Sequence, residues 1–151
     1  MAAKVTKQDI DDAGFRPEQF GIASGGPPAW TEYVARLLTR AELWSRGRFG
    51  GGYADVPADT PQFEHLRAAE LCWASAQLWK RRAAFIDSNA VSSLERLAHA
   101  DRREFEAQAE RAMACAEEQM ALAINPAAPA GTGGTLTHVV TGPWAALGVC
   151  R

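Results

Sequence analysis

Residues 61–85 read PQFEHLRAAELCWASAQLWKRRAAF, and the fold class follows from how apolar groups recur along them. Leu66, Ala69, Trp73, Ala76 and Lys80 fall three or four residues apart, the methylenes of Lys80 extending the stripe. Leu71, Ser75, Leu78 and Phe85 make a second stripe on an adjoining face. A helix that is apolar on more than one face has to be covered from several sides. The stretch therefore predicts the central helix of a bundle, begun by Thr60 as N-cap and Pro61 in the first turn. Glu64 suits the positive end of its dipole, and Lys80, Arg81 and Arg82 suit the negative end.

The covering elements lie on either side. Upstream, Trp30, Val34, Leu37, Ala41 and Trp44 form one stripe and predict a helix over residues 29–46, ended by the glycines from Gly47 to Gly52. Glu32 with Arg36 and Glu42 with Arg46 make its wet face. Before it, Thr6 and Asp9 can close a capping box on a short helix that Gly14 stops. Residues 15–28 then read as an irregular arm, pinned to the core through Phe15 and Phe20. Residues 48–61, RFGGGYADVPADTP, read as a flexible loop. Their glycines lack the flanking strand, helix and Lys-Ser/Thr of a phosphate cradle.

Downstream, Asp87, Ser88 and Asn89 break the central pattern. A long helix is expected over residues 92–122, with an interruption near His99 and Asp101, until Asn125 and Pro126 stop it. Its stripe runs through Leu94, Leu97, Asp101, Phe105, Ala109, Ala112, Ala116 and Met120, and its many alanines allow close approach to a neighbouring helix. The expected fold is all-α: a small bundle of three main helices plus a short N-terminal helix over residues 1–125. Trp30, Leu37, Trp44, Leu66, Trp73, Leu78 and Phe105 are its expected core.

Residues 126–151 differ in composition. A Pro/Ala/Gly linker leads into TLTHVVTG, which is strand-prone, and then GPWAALGVCR. A lone strand cannot satisfy its backbone groups, so an extended tail that adds to a strand or groove of another chain is the consistent reading. A disordered tail, or one folded back on the bundle, is the alternative. Leu136, His138, Val139, Val140, Trp144 and Leu147 would carry the docking contacts.

The whole chain has 151 residues, 47% hydrophobic and 23% charged, with a net charge of −2. That suits one globular domain and gives no bulk attraction for nucleic acid or an acidic membrane. Residues 1–12 carry no apolar signal core, and no apolar run approaches a membrane span. Cys72, Cys115 and Cys150 are far apart and odd in number. Cys72 and Cys115 sit in helical apolar patterns, where a free cysteine acts as a small hydrophobe, and the natural reading is a reducing compartment. His65, His99 and His138 sit on separate elements without ligand-spaced partners. No catalytic residue, metal site or cofactor is expected, and the chain reads as a non-enzyme.

The order of elements, with YVARLLTRAELWSRGRFG over residues 33–50 and HLRAAELCWASAQLWKRRAAF over residues 65–85, resembles the adaptor (head-completion, or head–tail connector) proteins of long-tailed bacteriophages and gene transfer agents. The resemblance spans residues 6–124 and rests on apolar patterns. It implies a virion protein assembled in the host cytoplasm, whose copies form a ring, typically of twelve, beneath the portal protein. Such a ring extends the channel for double-stranded DNA and presents a surface to the next tail-side connector protein. The C-terminal segment of such adaptors packs on the portal, often by strand addition. Lys80, Arg81 and Arg82 would then be channel contacts without sequence specificity. A competing expectation is a small cytoplasmic DNA-binding or regulatory protein that uses Arg46, Arg48, Lys80, Arg81 and Arg82 as one patch. A third is a small enzyme or ligand-binding bundle with a pocket between the Trp-bearing helices.

Overall fold

The computed structural model describes residues 3–20, 29–89 and 95–126. Among them are four α-helices and no strand: α1 (Lys7–Asp12), α2 (Ala29–Phe49), α3 (Pro61–Asn89) and α4 (Glu95–Ile124). Short 3-10 turns at Pro17–Phe20 and Tyr53–Asp55 join them. The all-α bundle expected from the periodicity is the fold observed. The docking residues Leu136, His138, Val139, Val140, Trp144 and Leu147 lie outside the described residues.

Local chemistry sets most helix ends. The Thr6 hydroxyl accepts from the Asp9 amide, and the Asp9 carboxylate accepts from the Thr6 amide, completing the capping box of α1. The Thr60 hydroxyl accepts from the Phe63 amide at 3.2 Å and starts α3. Three boundaries differ from expectation. α2 runs through Gly47 and stops at Gly50, where φ reaches +84°; a lone glycine is tolerated within a long packed helix, whereas a positive φ ends it. α3 continues through Asp87 and Ser88, since neither residue forbids helical backbone. α4 is unbroken across His99 and Asp101.

α3 is central. α4 folds back along it as an antiparallel hairpin with the most extensive contact among the described elements. Gln62 meets Ala123, His65 meets Gln119, Cys72 meets Cys115 and Trp79 meets Phe105. α2 packs against α3, also antiparallel, and touches α4 as well. Trp30, Val34 and Leu37 pack with Leu71, Ala74 and Leu78 at one end, and Trp44 and Phe49 pack beside Leu66 and Tyr53 at the other. Leu66 and Leu78 are fully buried, each contributing about 1.5–3 kcal/mol through burial. Phe15 and Phe20 are buried against α2 and α3, so the arm is pinned as expected.

The expected core divides. Trp30, Leu37, Leu66 and Leu78 are buried, whereas Trp44, Trp73 and Phe105 are half-buried. Trp44 and Trp73 stack on each other at 6.2 Å, and Phe105 stacks on Trp79 at 5.5 Å. Ala74 and Ala76 take deeper positions on α3 than Trp73, because helices that approach through alanine leave no room for an indole between them. The loop after α2 is not wholly solvent-facing either: Tyr53 is buried at 4% exposure. No helix of the described residues is long and apolar enough to cross a membrane.

Candidate functional site

Two groups of polar side chains stand out, one inside the bundle and one on its surface. The internal group centres on Glu70 of α3, which has no exposed surface. Its Oε2 accepts from the backbone amides of Lys4 at 2.7 Å and Val5 at 3.3 Å, and its Oε1 accepts from the Tyr53 hydroxyl. One carboxylate thus fastens the N-terminal segment and the loop after α2 to the central helix. The fully buried Ser45 hydroxyl makes no hydrogen bond of good geometry but lies near enough to this carboxylate to favour its charged form. Glu42, which the sequence placed on the wet face of α2, is in fact nearly buried, with Arg46 3.7 Å away at the surface. Its position on the helix turns it inward toward Tyr53, where the Arg46 charge still reaches it.

Burial pushes the Glu70 carboxyl above the ordinary carboxylate range, and the bonds from Tyr53, Lys4 and Val5 offset only part of that. Burial also raises the Tyr53 hydroxyl, reinforced by its bond to Glu70. Beside this group, the ammonium of Lys4 lies 4.6 Å over the rings of both Tyr53 and Phe63. Asp9 makes a second tie to α3 through Arg67 at 2.6 Å. Burial raises the Asp9 carboxyl, but hydrogen bonds from the Thr6 amide and hydroxyl and from Arg67 outweigh it, leaving a net lowering.

The groups that hold Glu70 are donors fixed in place, and the polar atoms face one another rather than an open cleft. Chemically the cluster is a latch. Sequence reasoning missed it because Glu70 follows Ala69 in an apolar face and its acceptor role depends on residues 65 and 66 positions away.

The second group is the basic run of α3. It lies about two turns before the helix end at Asn89 rather than in the last turn, because the helix continues past Phe85. Lys80 and Arg81 are exposed and Arg82 is half-buried. The Arg81 guanidinium lies 4.5 Å over the Tyr33 ring, and that of Arg82 lies 4.4 Å over Phe105 and 5.5 Å over Trp79. Trp79 is itself held edge-on to Phe15 at 5.2 Å, so its contacts within the chain are aromatic on both sides. These aromatic faces fix the cations by attraction to the ring quadrupole.

The single patch of Arg46, Arg48, Lys80, Arg81 and Arg82 does not form. Because α2 and α3 run antiparallel, Arg81 sits beside Tyr33 near the start of α2. Arg46 and Arg48 lie about 20 Å farther along that helix. There Arg48 pairs with Glu117 of α4 at 2.8 Å. His65 is likewise engaged, its Nδ1 2.9 Å from the Gln119 side chain. Among the described residues no group of three or more His, Cys, Asp or Glu is placed to hold a metal ion.

Compared with known proteins, the chain matches no family model, no curated protein and no solved structure.

Proposed function

We propose that the chain is a structural adaptor of a phage or phage-like virion. Copies of the bundle form a ring at the head–tail interface, and each docks on the portal through residues 135–151. The observation that carries this reading is how α4 ends. The Gln62 side chain donates to the Ala123 carbonyl at 2.8 Å, and Met120 and Ala123 are buried against Leu66 and Tyr53. The next residue, Ile124, is 47% exposed. The bundle therefore holds the exit point of the chain firmly, while the strand-prone sequence that follows finds no strand among the described residues to pair with. A fixed exit and an adhesive sequence suit a segment delivered to another chain.

Ring assembly supports weak individual contacts, since tethered neighbours raise the effective concentration of each tail. Arg81 and Arg82, steadied on aromatic rings, keep edge donors for phosphate and suit loose, sequence-independent contact with DNA in a channel. The test is co-sedimentation with portal rings from the same particle. It compares the full chain, the full chain with Trp144→Ala and Leu147→Ala, and a chain ending at Asn125. Binding by the first alone is expected. Equal binding by all three would place the contact on the bundle and remove the docking role of the tail.

A further inference from the structure

Cys72 and Cys115 stand 43 positions apart, and neither belongs to a recognised motif. The α3–α4 hairpin brings them face to face, because Cys72 lies about as far before the turn as Cys115 lies after it. Both are buried thiols, at 4% and 2% exposure, with their Sγ atoms 2.7 Å apart. The contact is one between two thiols, and an S–S bond of about 2.0 Å needs a further approach of the sulfurs. Ala116 completes the cluster, and the stacked indoles of Trp44 and Trp73 pack against it. Helix packing has therefore already brought the two sulfurs within reach of each other.

We propose that Cys72 and Cys115 are an oxidation site, closing to an intramolecular disulfide that staples α3 to α4 when the chain meets a small peroxide. One sulfur attacks the O–O bond, hydroxide leaves and takes up the thiol proton as water, and a sulfenic acid remains. The second thiol displaces the sulfenic hydroxyl, which leaves with that thiol's proton as a second water while the S–S bond forms. Two thiols are oxidised and one peroxide is reduced. Burial favours hydrogen peroxide over a glutathione-sized disulfide, since the larger reagent reaches these sulfurs only if the helices part. The inference rests on the hairpin alone and is independent of the ring reading.

The bond would close a 43-residue loop in the unfolded chain, which raises the melting temperature by about 10 °C for a domain of this size. The test uses the full-length chain with Cys150→Ser, so that only this pair can react. After hydrogen peroxide and then catalase, thiols are counted under denaturing conditions, peptides are mapped without reduction, and melting is followed by circular dichroism. The expected result is loss of both thiols, a peptide linked through Cys72 and Cys115, and a melting point about 10 °C higher, all reversed by dithiothreitol. The same chain with Cys115→Ser should show neither the link nor the rise. Thiols that still titrate, single sulfurs oxidised to sulfinic acid without a link, or a linked chain that melts no higher would each overturn the proposal.

Discussion

Glu70 gives the sharpest test of how this bundle is held together. Replacing it with Leu keeps an apolar-compatible volume but removes the acceptor for the Lys4 amide, the Val5 amide and the Tyr53 hydroxyl. Each buried donor left without an acceptor costs about 1–3 kcal/mol. The N-terminal segment can relax toward water and recover part of that, so Glu70→Leu should cost about 3–5 kcal/mol overall. Against a typical stability of about 5–15 kcal/mol, that is a large fraction. Glu70→Gln behaves differently. Its amide oxygen still accepts from the backbone amides, and the Tyr53 hydroxyl can turn from donor to acceptor toward the amide nitrogen, so the loss should stay near 1 kcal/mol.

The pH dependence adds an independent check. Because the folded-state value of Glu70 is raised, the folded chain holds this proton more tightly than the unfolded chain does. The resulting stabilisation is full below the unfolded value near 4.5 and is lost as pH rises through the folded value. The wild-type chain should therefore gain on Glu70→Gln as the solution is acidified from neutrality toward that value. Urea unfolding followed by circular dichroism at several pH values measures both effects. A Glu70→Leu loss under about 1 kcal/mol, or equal losses for Leu and Gln, would refute the latch.

Leu66→Ala should destabilise by about 2–5 kcal/mol because Leu66 is fully buried. Trp73→Ala should cost less than a fully buried Trp would, since Trp73 is half-buried; denaturant midpoints of the two variants compare them directly. Asp9→Asn should cost about 1–2 kcal/mol at neutral pH by weakening the capping box and the Arg67 pair. As the Asp9 value is lowered on folding, its contribution is present above 3.8 and lost as pH falls through the folded value, so acid unfolding of the variant should be flatter there. Gly47→Ala should stabilise by about 0.5–1 kcal/mol, because that glycine is helical with open space beside it. Gly50→Ala should destabilise by about 1–2 kcal/mol, because φ there is +84°; thermal melts separate the two signs.

By itself the sequence determined what depends on neighbours along the chain. The Thr6 capping box, the Thr60 start of α3, the stripe of α2 and the two apolar faces of α3 were all legible, because each rests on residues within a turn or two of one another. The tertiary structure decided which helix faces which. The periodicity marks Trp73 and Leu78 alike as apolar, yet α2 seals Leu78 while Trp73 is left half open beside Trp44. Glu70 looks like an intrusion in an apolar face until amides from the far N-terminus arrive to bind it. Cys72 and Cys115 read as two unrelated thiols until the hairpin register sets them in contact, and the basic residues read as one patch until antiparallel packing sends them to opposite ends of α2. A helical pattern fixes the angle at which a side chain leaves its axis, but its partner is chosen by docking between segments distant in sequence. That choice depends on the volume, donors and charge both surfaces must satisfy together.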